Sequence, residues 1–365
     1  MAGEMRVLML PAGQDVQSNP YTHLLVAALR RCNLVVVSGR RAKDALRKVN
    51  LVHVHWPHNY ASVRKPIAAL VASSMFVALC LYHRVRGARL IWTVHDLRSL
   101  TTRNQSLEKV LMAAFTRLTS GLIFLNRSSR EDLYEERPYM RSLPCTIIPH
   151  GVYGDTYPLC ESRHDARRAL DLPPAETPLM AFTGSIKPYK NLDCLVEAIA
   201  ALAPQLQITL LVAGRCDPAA YEAEITALIG QSQVKGARIV WINERLDDAQ
   251  LVRVIDAADI VALPYARTWN SGMAVLALER GRRLLCSDSK VFREMADEIG
   301  SYWIALAEPD IHSAMARLEI EKGPTEQDLL SLHRFIDGRQ WPDIGRMTAE
   351  FYRRVAHRVG GHPEP

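Results

Sequence analysis

Residues 262–278 read ALPYARTWNSGMAVLAL, and this stretch contains the structural unit that is repeated along the whole chain. An apolar strand ends at Leu263, a polar turn follows, and an apolar helix begins at Asn270-Ser271-Gly272. Asn or Ser before an apolar run is an ordinary helix N-cap, whereas glycine in a first helical turn costs about 1 kcal/mol relative to alanine. We therefore predict that Gly272 leaves room for a ligand that approaches the free amides of this helix end.

The same strand-to-helix pattern recurs in two series, separated by a polar, proline-containing stretch from Tyr157 to Thr177. The first series of predicted strands is Arg6–Leu10, Leu34–Ser38, Leu51–His55, Leu90–His95, Gly121–Leu125 and Thr146–Ile148. The second series is Leu179–Thr183, Ile208–Ala213, Arg238–Ile242, Ile260–Leu263, Leu284–Ser287 and Tyr302–Ala305. Continuous apolar strands separated by helices indicate parallel sheets covered on both faces. The predicted fold class is α/β, with two Rossmann-like domains that face each other across a cleft.

The composition favours some classes of protein and excludes others. Of the 365 residues, 48% are hydrophobic and 23% are charged, which is typical of a globular domain. The net charge of +6 suits a polyphosphate ligand or an anionic membrane surface, and no dense Lys/Arg block indicates nucleic acid. The seven cysteines are scattered without a CxxC pair, so we expect reduced thiols and a cytoplasmic location. No signal peptide is predicted.

The segment from Pro66 to Tyr82 is apolar apart from two serines. Its basic flanking residues are Arg64, Lys65, Arg84 and Arg86. The segment is at the lower limit of the length that crosses a bilayer, and we favour a helix buried between strands. A membrane-spanning helix is one alternative. A helix that lies in the membrane interface, with its basic ends on anionic lipid, is the other.

Two strand-to-helix loops of the second series carry the features of a phosphate site. The loop GSIKPYKN, residues 184–191, places Lys187 and Lys190 just before a helix, and the Asn-Ser-Gly turn follows a later strand. Ligands of open α/β sheets bind beyond the carboxyl ends of the strands, and helix N-termini favour phosphate. We predict a diphosphate against the amides near Ser271 and Gly272, with Lys190 opposite.

These motifs resemble the family 4-like group of GT-B glycosyltransferases over most of the chain. The segments that carry the resemblance are FTGSIKPYKNLDCLVEAIAAL (182–202), WINERLDDAQLVRVIDAADIVALPY (241–265), NSGMAVLALERGRRLLCSD (270–288) and CTIIPHGVY (145–153). The combination of NPYTHLL, VHVHWP, TVHDL and KPYKN is similar to bacterial exopolysaccharide enzymes, including xanthan-type β-mannosyltransferases. The resemblance implies an acceptor-binding domain at 1–155, a nucleotide-sugar-binding domain at 156–340, and a helix within 341–365 that returns to the first domain.

The resemblance also implies a substrate class. It indicates transfer of a sugar from a nucleotide diphosphate donor, with GDP-mannose as the leading donor and a UDP-sugar as the alternative. The implied acceptor is a lipid-linked glycan or a polysaccharide at the cytoplasmic face of the membrane, where the protein is peripheral. The loops and the resemblance together predict the donor-binding residues Gly13, His150, Ser185, Lys187, Lys190, Asn270, Ser271, Gly272 and Glu279.

Two of these predictions have a plain structural alternative. Glu279 lies seven residues after Gly272 and so on the same helix face. It is expected to bind ribose hydroxyls or, equally, to pair with Arg280 or Arg283. Gly13 and the turn Ser18-Asn19-Pro20 are expected to face the donor, but the turn is also explained as an ordinary helix start with proline in its first position.

The chain departs from the family pattern in three places. The retaining family members carry two glutamates where this chain has Trp269 and Ala277, and Ser185 replaces an arginine. We therefore expect an inverting transfer, in which a base deprotonates the acceptor and positive groups hold the leaving diphosphate. No Asp-x-Asp triplet ends a strand, so we expect no metal and no cofactor. A noncatalytic subunit and a nucleotide-sugar epimerase are the alternatives from other classes.

The candidate base comes from the first half, where Thr93–Leu97 reads TVHDL at the end of a strand. Asp96 or His95 is the predicted base, and the alternative is that Asp96 caps the next loop while His95 packs beneath it. Three further histidines are His53, His55 and His58. No carboxylate or cysteine completes a zinc set with them, so we expect core packing or acceptor contact.

Overall fold

The computed structural model describes residues 4–11, 20–39, 41–99, 102, 104–203, 205, 207–320 and 322–357. The chain divides into two compact units. Unit 1 comprises Met1–Gly151 together with Arg339–Pro365, and unit 2 comprises Val152–Gly338. The C-terminal helix therefore belongs to the same unit as the N-terminal half.

Unit 1 contains a six-stranded parallel sheet in the order β2-β1-β3-β4-β5-β6. The strands are β1 (Arg6–Leu10), β2 (Val35–Ser38), β3 (Leu51–Val54), β4 (Arg89–Val94), β5 (Gly121–Phe124) and β6 (Cys145–Ile147). The helices are α1 (Pro20–Arg31), α2 (Ala42–Ala45), α3 (Pro66–Val85), α4 (Gln105–Leu118), α5 (Arg127–Glu136) and α14 (Trp341–His357). Each strand of the central pair, β3 and β4, is almost wholly buried, as a sheet covered on both faces requires.

Unit 2 repeats this plan with a parallel sheet in the order β12-β11-β10-β7-β8-β9. Its strands are β7 (Leu179–Thr183), β8 (Thr209–Ala213), β9 (Arg238–Ile242), β10 (Ile260–Leu263), β11 (Arg283–Ser287) and β12 (Ile304–Ala307). Its helices are α6 (Arg163–Ala169), α7 (Leu192–Leu202), α8 (Ala219–Val234), α9 (Asp248–Ala257), α10 (Gly272–Glu279), α11 (Lys290–Ile299), α12 (Ile311–Ala316) and α13 (Glu326–Asp337). The α/β fold class with two parallel sheets is confirmed.

Close helix packing fixes α14 in unit 1. Gly345 of α14 lies so near α1 that an added Cβ would stand 2.7 Å from the Cβ of Ala28. Farther along, Tyr352 is fully buried and its hydroxyl hydrogen bonds with Nδ1 of His53 on β3 at 2.5 Å. The last helix therefore contributes to the core of the sheet formed by the N-terminal strands.

The prediction that the apolar segment after Pro66 is a buried helix between strands is right for the helix, which lies between β3 and β4, but wrong for its full burial. The segment forms helix α3, which packs one face on unit 1 through Ala69, Phe76 and Cys80 and exposes the other. An outer helix of an open sheet needs only one buried face, and here the outward face is apolar as well. Within the described ranges, α3 is the one helix long and apolar enough to cross a membrane.

The tight α1–α14 packing predicts opposite effects of the same substitution in two helices. Gly345→Ala should lower the melting temperature, because the new Cβ overlaps Ala28 and overpacking costs roughly 1–3 kcal/mol. Gly230→Ala in α8 is the control, since nothing lies within 4 Å of its added Cβ and alanine favours helix by about 1 kcal/mol. Thermal unfolding of both variants checks this. A rise in melting temperature for Gly345→Ala would contradict the packing.

Candidate functional site

The loops after β7 and β10 lie side by side, because these two strands are neighbours in the sheet. The amide of Ala266 donates to the carbonyl of Tyr189 at 2.9 Å and so joins the two loops. At the end of β7, Gly184 adopts φ +97°, a left-handed conformation that favours glycine. A Cβ there would stand 3.6 Å from Cε of Met273 and 3.7 Å from Nζ of Lys190. The Lys190 ammonium and the side chain of Met273, a residue of the first turn of α10, therefore both approach Gly184.

The start of α10 has the geometry of an anion site. Ser271 is its N-cap and accepts the amide of Ala274 through Oγ at 3.2 Å, and the carbonyl of Asn270 accepts Thr268 Oγ1 at 2.9 Å. Gly272 is the first helical residue. Among the described residues, the amides of Gly272 and Met273 have no acceptor, as expected for the first turn of a helix. These two N–H groups are available to a ligand.

Lys190 is a partly buried cation with no carboxylate partner among the residues described. Its ammonium lies over the ring of Tyr265 at 5.2 Å. Burial, followed by repulsion from Lys187, lowers the pKa of Lys190 to about 8. A cation held in such surroundings without a counter-charge is costly, and an anionic ligand would remove that cost.

The remaining loop residues differ in their exposure. Ser185 is exposed, and Lys187 lies 3.7 Å from a carboxylate oxygen of the exposed Asp217. Asn191 adopts a left-handed conformation, φ 52°, at the start of α7. Lys187 thus adds positive charge beside Lys190 but shares it with Asp217.

Glu279 lies at the opposite end of α10 from Gly272. Its two carboxylate oxygens accept the amides of Tyr153 and Gly154 at 2.7 and 2.8 Å. The two arginines considered as its partners are bound elsewhere. Arg280 pairs with the buried Asp256, and Arg283 donates to the carbonyls of Tyr302 and Glu319. In this structure Glu279 therefore anchors the first residues of unit 2, and its role toward ribose stays a prediction.

In unit 1, Asp96 lies just beyond the end of β4 and is only partly buried. Its carboxylate accepts no hydrogen bond from the part of the chain that the structure describes, so it does not cap the next loop. Burial raises the pKa of Asp96 to about 6. A carboxylate with no partner and a raised pKa can take up a proton near neutral pH, which is what a general base must do.

His95 has a structural environment that differs from that of Asp96. It is buried, its Nε2 hydrogen bonds with Nδ1 of His55 at 3.0 Å, and its ring stacks on Trp56 at 4.3 Å. Tyr21 of α1 contacts the same ring edge-on at 4.8 Å. Burial, assisted by the neighbouring histidines, holds the pKa of His95 well below its usual range. His95 is neutral and packed, so Asp96 is the better candidate base of the two.

His53, His55 and His58 are also neutral core groups. His53 hydrogen bonds through Nε2 with Thr93 Oγ1 at 2.7 Å and through Nδ1 with Tyr352, while burial lowers the pKa of His55 to about 3 and that of His58 to about 4. No group of three or more His, Cys, Asp or Glu side chains suited to a metal ion occurs in the described residues. The core packing expected for these histidines is what the structure shows.

Two predicted donor ligands remain to be placed. His150 belongs to unit 1, where it lies 5.0 Å from the Tyr21 ring and its Nδ1 is 2.7 Å from the carbonyl oxygen of Gly151. Burial lowers the pKa of His150 to about 4, so it offers a neutral imidazole. Gly13, together with Ser18 and Asn19 of the turn before α1, lies outside the described residues.

The structure adds site residues that the sequence did not reveal. Tyr265 contacts Lys190, and Tyr21 and Trp56 form the aromatic surroundings of His95. The position of Tyr265, directly after a strand and Pro264, was a usable signal because such residues line the carboxyl edge of a sheet. Tyr21 gave no signal, since an aromatic residue in the first turn of an amphipathic helix is usually core.

Comparison with known proteins adds the chemistry. The family model described as "Glycosyl transferases group 1" matches residues 177–318, which lie in unit 2. A GDP-mannose:glycolipid 4-beta-D-mannosyltransferase of Xanthomonas campestris pv. campestris is 25% identical, covering 98% of this chain and 95% of that protein. A D-inositol 3-phosphate glycosyltransferase of Xylanimonas cellulosilytica is 30% identical over 44% of this chain and 38% of its own.

Solved structures share the fold. Sucrose-phosphate synthase from Thermosynechococcus elongatus superposes with a TM-score of 0.70 at 17% identity, over 97% of this chain and 99% of that one. WaaG, a glycosyltransferase involved in lipopolysaccharide biosynthesis, gives a TM-score of 0.62 at 15% identity, over 95% and 99% of the two chains. The two parallel sheets, the group 1 domain in unit 2 and these relatives identify the chain as a glycosyltransferase of the GT-B fold that resembles bacterial mannosyltransferases.

Proposed function

We propose that this enzyme transfers mannose from GDP-mannose to a lipid-linked glycan, with inversion and without a metal ion. The observation that carries the proposal is the similarity to a GDP-mannose:glycolipid mannosyltransferase, which extends over 98% of the chain and so includes both units. Two candidate groups supply the two functions that such a transfer needs. They are Lys190, in the loop 184–191 after β7, and Asp96, after β4. One must hold a diphosphate, and the other must take a proton.

Unit 2 is proposed to bind the donor through its diphosphate. The ammonium of Lys190 lies beside Gly184 after β7, and the free amides of Gly272 and Met273 begin the helix that follows the neighbouring strand β10. Because these groups are held by the protein before the reaction, they would stabilise the charge that develops on the leaving diphosphate. Lys187 adds a second cation to the same loop.

The proposed reaction is a single displacement at the anomeric carbon. The acceptor oxygen forms a bond to C1 as the bond between C1 and the diphosphate oxygen breaks, and GDP leaves with the electron pair. The proton of the acceptor hydroxyl passes to the carboxylate of Asp96. The mannosyl group of GDP-mannose is α-linked, so one displacement gives a β-mannoside.

The helix that carries the donor site also supports inversion over retention. The positions of the two family glutamates are occupied by Trp269 and Ala277, and both side chains are buried. Neither can ionise or accept a proton, so α10 and its preceding turn provide no acid at the places where retaining relatives have one. If the nucleotide titrations described below favour UDP, the proposed donor becomes a UDP-sugar and the proposed mechanism stays the same.

We place the reaction at the cytoplasmic face of the membrane, with the enzyme as a peripheral protein. All seven cysteines are free thiols, and Cys160 and Cys194 are exposed, which suits a reducing compartment. The glycolipid acceptor named for the Xanthomonas relative supports a membrane-bound acceptor here.

Asp96→Asn should abolish transfer while leaving nucleotide binding unchanged. Loss of a general base lowers kcat by about 10²–10⁴-fold. In the wild type, activity should fall as the pH drops below about 6, because Asp96 then becomes protonated and cannot act as a base. Steady-state rates and GDP titrations from pH 5 to 8 (roughly, the range that spans this ionisation) check both points.

Asp44→Asn is the control for Asp96, since it removes only a surface ion pair with Arg47 in the same unit. The base assignment is wrong if Asp96→Asn keeps most of its activity, or if the acidic limb of the wild-type profile lies near the ordinary aspartate pKa.

Lys190→Ala should weaken GDP binding by about ten- to a hundred-fold, because a charge-assisted contact with phosphate is lost. The wild-type affinity should also decline as the pH rises above about 8, since the free enzyme then loses the Lys190 charge. Lys190→Arg stays charged and should not show this added decline. Calorimetric titration of GDP at several pH values measures all three proteins.

Lys235→Ala removes an exposed cation of unit 2 and serves as the control for lost charge. Unchanged GDP affinity in Lys190→Ala, with a normal melting temperature, would remove Lys190 from the donor site. Titration of UDP and ADP into the wild type tests which nucleobase the donor carries. If UDP binds more tightly than GDP, the proposed donor is a UDP-sugar.

Transfer should continue in EDTA. In the proposed site, the Lys190 ammonium and the amides at the start of α10 take the place that a divalent ion would have against the diphosphate. Initial rates with EDTA and with added Mn²⁺ or Mg²⁺ check this. An activity that EDTA abolishes and Mn²⁺ restores would contradict metal independence.

A further inference from the structure

Helix α3 carries an exposed apolar face that nothing in unit 1 covers. Its large exposed side chains are Ile67, Leu70, Val71, Met75, Leu81 and Val85, each about half exposed or more. At about 100° of rotation per residue they all fall on one side of a helix about 30 Å long and so form one stripe. We call this stripe the α3 face. The exposed residues between its members, Ala68, Ser74 and Ala78, are small and include a single polar side chain.

The opposite face of α3 is part of the unit 1 core. Phe76 is buried between the rings of Tyr60 and Phe115, at centroid distances of 4.2 and 5.5 Å. Near the other end, His83 Nε2 lies 2.7 Å from the carbonyl oxygen of Ala45, and the Tyr82 hydroxyl donates to the carbonyl of Leu46. A helix with these contacts cannot cross a bilayer without losing its place in the core. It can only present its outer face to a surface.

The charge around α3 favours an anionic surface as the partner of its outer face. No acidic residue occurs between Asp44 and Asp96. The basic residues of the same stretch are Arg47, Lys48, Arg64, Lys65, Arg84, Arg86 and Arg89. Arg64 and Lys65 stand exposed before the first turn of α3, and Arg86 stands exposed after its last turn. The apolar stripe is therefore bounded by positive charge at both ends, and Leu46, half exposed beside Tyr82, widens it.

We propose that the α3 face docks on a bilayer of anionic lipid, with the helix lying in the plane of the interface and its basic ends on the headgroups. An interfacial helix has this pattern of an apolar face with basic flanks, and lipid burial would remove the exposed apolar side chains from water. The inference rests on the proposed function for its biological sense, because docking would bring unit 1 to a lipid-linked acceptor. A second copy of the chain is the competing occupant of the same face.

The test is co-sedimentation of the full-length enzyme with phosphatidylglycerol vesicles and with phosphatidylcholine vesicles. The wild type should bind the phosphatidylglycerol vesicles and should be released as the salt concentration rises, because exposed charges are screened. Val71→Asp, which places a carboxylate on the α3 face, should lower the bound fraction at least tenfold. Val234→Asp is the matched control, since Val234 is 89% exposed in unit 2, and it should bind as the wild type does.

Arg64→Gln combined with Lys65→Gln should weaken binding by about tenfold or more and flatten its dependence on salt, since each basic residue near an anionic surface contributes about a fivefold factor. All variants should keep the wild-type melting temperature, because the altered side chains are exposed. Equal binding of wild type and Val71→Asp overturns the proposal. So does a concentration-dependent dimer that Val71→Asp abolishes in the absence of vesicles.

A transfer assay with a water-soluble acceptor separates this inference from the proposed function. Val71→Asp should transfer mannose to the soluble acceptor at the wild-type rate and lose activity only toward acceptor in vesicles. If neither the wild type nor Val71→Asp transfers mannose, but vesicle binding depends on Val71 as described, the proposed function is wrong and the docking surface is supported. If soluble transfer proceeds and no vesicle binding is found, the docking surface is wrong.

Discussion

Among the described residues, Lys190 is a cation without a counter-charge at the carboxyl edge of the unit 2 sheet, and the proposed donor site depends on it. The order of the strands makes β7 and β10 neighbours, so the loop that carries Lys190 and the loop that opens α10 must lie together. The Lys190 ammonium and the side chain of Met273 then both come close to Gly184. A protein interior tolerates such a concentration of positive charge only at a cost, and a diphosphate is the ligand that would offset it.

In unit 1, by contrast, the buried histidines described above are uncharged. Burial lowers the pKa of His53, His55 and His95, so these rings are neutral. His53 joins β3 to α14 through Tyr352, and His55 hydrogen bonds with the ring of His95. Asp96 is the exception, because it stands beyond the same strand end without a bonding partner in the described residues. The packed rings and the carboxylate of Asp96, which has no partner among the described residues, together suit a site where a proton is removed from an acceptor.

Much of the fold could be predicted, because apolar strands that alternate with helices allow few arrangements. The proximity of the Lys190 loop and the Ser271-Gly272 turn followed from one rule, that ligand loops gather at the carboxyl edge of a parallel sheet. Contacts between residues far apart in sequence were not predictable in this way. Tyr352 hydrogen bonds with His53, and Glu279 accepts the amide of Tyr153. Both contacts depend on tertiary packing, which no local sequence pattern predicts. The exposure of α3 was missed because apolar composition ordinarily indicates burial.

The anomeric configuration of the product tests the central claim most directly. The enzyme would be incubated with GDP-mannose and a glycolipid acceptor, and the new linkage would be assigned by NMR of the purified product. A β-mannoside is predicted, because the proposed base Asp96 would activate the acceptor for one displacement and the buried Trp269 and Ala277 offer no acid at the two places where retaining relatives carry one. An α-mannoside, or hydrolysis of GDP-mannose without transfer, would contradict the account.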